Sequence, residues 1–446
     1  MKKHRGGYDS KLDFELTPIK NYVMLFDMIK RHITDHIISS AKKYPVVTII
    51  GPRQSGKSTL ARAAFPRHAY VSLEEPDRRE FALKDPRGFF KRFGGPLIID
   101  EVQRAPELLS YIQGLVDEPG SDKSFILTGS HQLLLMEKIT QSLAGRTVIA
   151  KLLPFSLREL QAMPCGEPDG LPGPAAIPLK GRKAGRAAGH SVNDGAGSGA
   201  LKDIEFYMFT GGYPRIYDRG LDAREWLQHY YATYVERDVR SIVNVTQLDL
   251  FDRFVRLLAA RAGSILNLSS LAGDCGISQP TARAWLSILE ACFICFTLRP
   301  HFKNFNKRMI KTPKIYFYDT GLLCYLLKVR RAEELLEHSM RGAIFENWVI
   351  SERIKSSFNR GEEHPFYYWR DMKGHEVDLV VDSGEMLYPV EIKSSRTFNA
   401  DFIKNLKYLN ELQRASGRRP PGGECVYAGS DSFEFDGYLI RPWAEI

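Results

Sequence analysis

No stretch of this chain approaches eighteen consecutive apolar residues, so nothing in it is built to span a bilayer. The basic start MKKHRGGYDSKLDF is followed by no apolar h-region, which argues against a secretory signal. Cysteine is sparse. The six, Cys165, Cys275, Cys292, Cys295, Cys324 and Cys425, form no paired framework. Cys292 and Cys295 make a C-x-x-C, but no second pair stands near to complete a zinc site, and the run ACFICFTL around them reads as buried free thiols. Net charge is also thin. Sixty-two Lys and Arg against 53 Asp and Glu leave +9, a low density over 446 residues and a slight lean towards polyanions. These absences predict a cytoplasmic globular protein without membrane contact, long enough for about three domains.

What is present begins at VVTIIGPRQSGKSTLARAAF, Val46 to Phe65. Val46–Ile50 has the composition of a buried parallel strand and Leu60–Phe65 that of a helix. Between them lies G-x-x-x-x-G-K-[ST], the phosphate-wrapping loop Gly51, Pro52, Arg53, Gln54, Ser55, Gly56, Lys57, Ser58 and Thr59. Its glycines let backbone approach a phosphate, and N–H groups at the following helix start point at the anion. Lys57 would reach the β- and γ-phosphates of ATP, and the Ser58 hydroxyl would ligate Mg²⁺. Forty-three residues beyond Lys57, GPLIIDEVQ delivers Asp100 and Glu101 at the carboxyl end of a second strand, the edge where open parallel sheets bind ligands. Asp100 suits Mg²⁺ through its water shell, and Glu101 can polarise an attacking water. A third strand, SFILTGS, ends in Thr128, Gly129 and Ser130, where a polar side chain can fix that water or sense the γ-phosphate.

This order of elements resembles the AAA+ ATPases, in particular a bacterial and archaeal group that joins a compact ATPase module to a C-terminal domain of uncharacterised function. The resemblance implies ATP and Mg²⁺ as cofactors and a homo-oligomeric ring, for which six subunits is one size. It also implies that Arg146, in the loop after SLAG, reaches the γ-phosphate of a neighbouring subunit. Arg215, in FTGGYPRIYD, matches the sensor-2 segment of a helical lid. From Gln161 to Ala200 the composition turns Gly-, Ala- and Pro-rich around one basic cluster, Lys180 to Arg186, and periodicity ends; this predicts a disordered insertion. The family pattern has a shorter connection here.

Further on, a short helix, a turn at Cys275–Ile277 and a helix opening QPTARAW give a helix-turn-helix layout, with Ser278 as N-cap and Pro280 in the first turn. With the strand that follows, it looks like a winged helix. Gln279, Thr281, Arg283 and Ala284 would then front a DNA major groove, and the basic wing Lys303, Lys307, Arg308, Lys311 and Lys314 would meet phosphates. The alternative is a trihelical module that holds a protein partner. In the last third, HEVDLVV and LYPVEIKSS read as a hairpin with Glu391 and Lys393 on one face and Asp378 beside them. That set, with Glu346 from the preceding helix, resembles the PD-(D/E)xK nucleases. The resemblance implies a divalent metal held by carboxylates and a lysine that orients water. Here Val377 stands in place of the proline, and many domains of that superfamily bind nucleic acid without cutting it.

The expected fold is therefore α/β: an N-terminal helical segment (1–45), a P-loop AAA+ core (46–160), the insertion (161–200), a helical lid (201–248), a winged helix-like domain (249–335) and a restriction-endonuclease-like domain (336–446). The expected function is an Mg²⁺-dependent ATPase that acts on DNA as a ring-forming motor or switch. Two alternatives stand beside it: a signalling or assembly ATPase with protein-binding C-terminal domains, and an ATP-gated nuclease.

Overall fold

The computed structural model describes residues 29–120, 123–130, 141–162, 203–235, 248–301, 312–362, 366–384, 386–420 and 422–446. The predicted insertion, apart from its first residues, and the wing residues Lys303, Lys307, Arg308 and Lys311 lie outside them.

Five strands, β1 (Val46–Ile50), β2 (Ala69–Ser72), β3 (Leu97–Asp100), β4 (Phe125–Gly129) and β5 (Thr147–Lys151), form an all-parallel sheet in the order β2-β3-β4-β1-β5. Helices α1 (Thr34–Ala41), α2 (Lys57–Ala64), α3 (Pro76–Lys84), α4 (Pro86–Phe93) and α5 (Leu108–Val116) accompany it. Every residue of β1, β3 and β4 is buried, as strands covered on both faces require, and this explains their unbroken apolar runs. The order has one functional consequence. It sets the carboxyl ends of β3, β4 and β1 side by side, so Asp100, Thr128 and Gly51 arrive at one edge.

After β5 the chain makes the short helix α6 (Leu157–Gln161). Its start is fixed by a reciprocal cap in which the Ser156 hydroxyl accepts from the Glu159 N–H while the Glu159 carboxylate accepts from the Ser156 N–H. Helices α7 (Ile204–Thr210), α8 (Pro214–Arg219) and α9 (Ala223–Tyr230) come next, then α10 (Leu248–Ala259), α11 (Leu268–Cys275) and α12 (Gln279–Ala291). The turn between α11 and α12 uses Gly276 at φ +74°, a left-handed conformation that glycine adopts without strain, and the Ser278 side chain caps α12. An antiparallel ribbon follows, β6 (Cys295–Leu298) with β7 (Lys314–Phe317). Cys292 and Cys295 are buried and joined in no disulfide.

Helix α13 (Thr320–Leu326) leads to α14 (Arg341–Asn359) and a six-stranded mixed sheet in the order β12-β13-β11-β10-β9-β8. Its strands are β8 (Phe366–Arg370), β9 (Glu376–Asp382), β10 (Leu387–Lys393), β11 (Glu424–Tyr427), β12 (Phe433–Phe435) and β13 (Tyr438–Pro442). The expected hairpin is present as antiparallel β9 and β10, in which Val390 faces Leu379. Helix α15 (Lys404–Ala415) packs with its own apolar cluster, including Leu406, Leu409 and Val380.

The units are not separate beads. One apolar cluster runs from Val46 and Leu127 through Phe155, Tyr213 and Trp285 to Ile350 and Trp443. Helix α14 reaches back to the first sheet: Lys355 Nζ donates to the Phe155 carbonyl at 3.0 Å, the Leu157 N–H donates to Glu352 at 2.7 Å, and Lys151 lies 4.9 Å from the Phe358 ring centre. Among the described residues no helix is long and apolar enough to cross a membrane.

Candidate functional site

The loop after β1 is shaped by its glycines. A Cβ at Gly51 would sit 2.0 Å from the Leu152 carbonyl oxygen, so only glycine fits. Gly56, at φ +90°, turns the chain into α2. Lys57 opens that helix with its side chain buried and folded back, donating to the Gly51 carbonyl at 3.0 Å and the Pro52 carbonyl at 2.7 Å. Burial lowers its pKa to about 8, although Glu101 and Asp100 act in the opposite sense. Ser55 Oγ is buried without a hydrogen-bond partner beneath the loop. A cradle that excludes Cβ, an orphaned hydroxyl and a buried ammonium suit a polyphosphate.

Asp100 is the hub of the neighbouring strand ends. Ser58 Oγ donates to its Oδ1 at 2.7 Å, the Tyr70 hydroxyl donates to its Oδ2 at 2.9 Å, and the Thr128 hydroxyl also donates to Oδ1. An oxygen pair from Ser58 and Asp100 is the donor chemistry that Mg²⁺ takes beside phosphates. Glu101 stands next along the chain in a left-handed conformation, φ +56°. Such a conformation in a non-glycine residue carries strain and often marks function. Its carboxylate accepts from Ser130 Oγ at 3.0 Å and from the Gln103 side-chain amide. Lys57, Ser58, Asp100, Glu101 and Ser130 therefore meet at one sheet edge.

Three participants escape motif reading. Tyr70 comes from β2, Gln103 from the turn after Glu101, and Arg31 from ahead of α1. Arg31 is buried and makes three bonds: Nη1 to the Ser55 carbonyl at 2.8 Å, Nη2 to the Leu153 carbonyl at 2.6 Å and Nε to Glu159 at 3.0 Å. It props the phosphate loop from below. Burial opposes ionisation of Glu159, but Arg31 and the N–H groups of Ser156 and His32 outweigh it and hold the carboxyl below its usual value. The stability from this pair is thus present above the unfolded glutamate value and is lost as pH falls through the lower folded one. Arg31→Met is expected to cost about 3–5 kcal/mol, the penalty for leaving one member of a buried pair alone. Urea unfolding near neutral pH checks this, and a variant within about 1 kcal/mol of wild type would remove the role.

The two expected arginines lie apart. Arg146 stands before β5, and its carbonyl accepts from the Val46 N–H at the start of β1. It therefore occupies the opposite edge of the sheet from the phosphate loop, about 16 Å away along a five-residue strand. Its guanidinium forks onto Asp117, Nε to Oδ1 at 2.6 Å and Nη2 to Oδ2 at 2.8 Å. Arg215 is exposed in the first turn of α8.

In the C-terminal sheet the expected set does assemble. Lys393 Nζ lies 2.6 Å from Glu391 and 3.9 Å from Asp378, and Asp378 also accepts from the Ile392 N–H at 2.8 Å. Glu346, projecting from α14, is pushed up to about 7 by burial and by Asp378, and Glu391 is raised well above the usual range for the same two reasons. Lys314 corrects the sequence reading. Instead of facing a phosphate, it is buried with its ammonium 3.1 Å from Glu346 and 2.5 Å from Glu376. Lys314 and Tyr316 are two apart on β7 and share a face, and the Tyr316 hydroxyl donates to Glu346. Among the described residues no three Asp, Glu, His or Cys side chains converge as a metal site. In this arrangement the set does not fit a divalent ion.

Three family profiles cover most of the chain. Residues 43–161 match the AAA domain, residues 201–333 a domain of unknown function (DUF8612), and residues 341–446 a second one (DUF4143). An uncharacterized protein of Mycobacterium tuberculosis is 28% identical over 358 residues, spanning 79% of this chain and 71% of that one. A Mycobacterium bovis protein matches with the same figures. Among solved structures, a Walker-type ATPase of Pyrococcus abyssi aligns at 15% identity with TM-score 0.40, over 67% of this chain and 96% of that one.

Proposed function

We propose, from the premise that residues 43–161 form an AAA-type P-loop ATPase domain, that the whole chain is an Mg²⁺-dependent ATP hydrolase acting on DNA. The observation that carries hydrolysis is the meeting of Ser58 with Asp100 at 2.7 Å and Glu101 with Ser130 at 3.0 Å, beside the buried ammonium of Lys57. The loop from Gly51 to Thr59 would wrap the phosphates, with Lys57 turning from the Gly51 and Pro52 carbonyls to phosphoryl oxygens. Ser58 and Asp100 would hold Mg²⁺, which when bound supplies positive charge against the phosphates. Glu101 would take the proton of the attacking water, its carboxylate aimed by Ser130 and Gln103.

Arg146 enters this reading across a subunit boundary. From the far edge of its own sheet it cannot serve its own loop, whereas a head-to-tail ring would bring it to the next subunit's phosphates. Arg146→Ala should then keep ATP affinity and lose about 10³-fold or more in turnover. Mixing it with Glu101→Gln should restore part of the rate, because some interfaces would pair an intact glutamate with an intact arginine. No recovery in mixtures shown to co-assemble would rule out the trans role.

Action on DNA rests on the helix-turn-helix geometry of α11 and α12, with Gln279, Arg283 and Ala284 exposed. A second reading, a switch whose later units hold protein partners, is favoured by the single cation, Arg283, that α12 contributes to its exposed face. Turnover measured with single-stranded, duplex and branched DNA at two salt concentrations separates them. Stimulation by DNA that weakens with salt supports the first reading. A rate indifferent to every DNA supports the second.

A further inference from the structure

The carboxylate cluster of the C-terminal unit carries a feature that neither the phosphate loop nor the helix-turn-helix accounts for. Four acids, Glu346, Glu376, Asp378 and Glu391, surround two ammonium groups, and these come from different parts of the chain. Lys393 belongs to the same sheet. Lys314 comes from the ribbon of the preceding unit, and only 4% of its side chain is exposed. It enters between α14 and β9, with Glu346 on one side and Glu376 on the other. Tyr316 follows it from the same strand face and donates to the same Glu346 oxygen.

We propose that Lys314 is a built-in cation that closes the carboxylate site of the C-terminal unit and thereby excludes a divalent ion from it. The inference rests on the reading of Glu346, Asp378, Glu391 and Lys393 as one reaction-site constellation. The oxygens a metal would need are already engaged: Glu346 Oε1 by Lys314 and Tyr316, Glu391 Oε1 by Lys393, and Asp378 Oδ2 by the Ile392 N–H. Divalent magnesium or manganese needs several oxygens in a tight shell, and a buried ammonium beside it is a like charge at short range. The closure is also incomplete. Glu391 Oε2 is buried without a hydrogen-bond partner, and the Glu391 side chain is only 3% exposed. A buried carboxylate oxygen left in this state favours any cation that can reach it. Lys314 is held in place from both sides, since its strand pairs with Leu298 and Ile265 and its Phe317 exchanges two hydrogen bonds of 2.7 Å with Asn347 of α14.

The test uses the full chain without nucleotide and follows free Mn²⁺ by electron paramagnetic resonance during titration. Wild type is compared with K314M and with K314M/E376Q, which removes one acid along with the lysine and so keeps the buried charge balanced if K314M alone fails to fold. Both variants are expected to gain one site at least about tenfold tighter than any in wild type, a difference of about 1.4 kcal/mol. Equal Mn²⁺ binding by wild type and variants, or no gained site in folded K314M/E376Q, overturns the closure. Adding E391Q separates this inference from the reading beneath it. A gained site that disappears ties the ion to Glu391. One that persists refutes the constellation and leaves the closure by Lys314 in force.

Discussion

Lys57→Ala should lower ATP affinity by about 10²- to 10⁴-fold, the loss expected from two charge-assisted hydrogen bonds to phosphate at about 1.5–3 kcal/mol each. The cause is specific to this side chain. In the free protein its ammonium is buried and donates, among the described residues, to the Gly51 and Pro52 carbonyls, so phosphate oxygens offer it a full opposite charge in place of two dipoles. Titration of a fluorescent ATP analogue measures the change, and equal affinity in the variant and wild type would sink the assignment of the loop. The same lysine predicts a pH dependence. Burial lowers its pKa from 10.5 to about 8, so between these values the unfolded chain binds more protons than the folded one. Fold stability therefore rises with pH across that window, and the cost of the buried charge is present in full below it. Nucleotide affinity runs the other way. Phosphates favour the charged lysine, so affinity should fall by up to about tenfold per pH unit above about 8, as binding must then take up a proton. In Lys57→Ala that slope should vanish.

Glu101→Gln should separate binding from chemistry. The amide keeps the size of the side chain and can still accept from Ser130, so ATP affinity should stay within about twofold. It cannot take a proton from water, and a positioned general base contributes about 10²- to 10⁴-fold. Single-turnover hydrolysis of labelled ATP reads the difference directly, with the bound nucleotide retained and almost unconverted. Hydrolysis at the wild-type rate would move the base elsewhere. The backbone adds weight to this expectation. A left-handed glutamate next to a regular strand persists only where its surroundings fix it, and here Ser130 and Gln103 hold the carboxylate.

The first sheet was legible because its signals are local. A strand, the loop from Gly51 to Thr59 and a helix follow one another in the chain, and Asp100 and Glu101 end an unbroken apolar run. Ser130 could be named from its place after a strand, although its bond to Glu101 could not. Arg31 carried no such signal. It touches the loop 24 residues on and Glu159 128 residues on, and no periodicity marks a single cation whose three bonds are all long-range. Tyr70 was hidden for a similar reason, since alternation along a strand says which face a phenol takes but not which carboxylate the neighbouring strand presents. Lys314 was misread through composition. It closes a run of basic residues that looked solvated, yet it is the first residue of β7 and its alternation with Tyr316 turns it inward. In α14 the inward acid Glu346 was found because a hairpin pattern followed it. Glu352 and Lys355, one helical turn apart and both buried, carry no sequence signal that tells them from a surface pair.

That pair has a temporal consequence. The Leu157 N–H and the Phe155 carbonyl, which flank the cap of α6 and stand next to the Leu153 carbonyl held by Arg31, bond to side chains 195 and 200 residues further along the chain. During synthesis, at about 5–20 residues per second, those partners emerge about 10–40 s after the segment they complete. Until Lys355 clears the ribosome, a nascent chain can thread the five-stranded sheet and seat Arg31 beneath its phosphate loop, but the Phe155 carbonyl and the Leu157 N–H behind that prop wait for their partners.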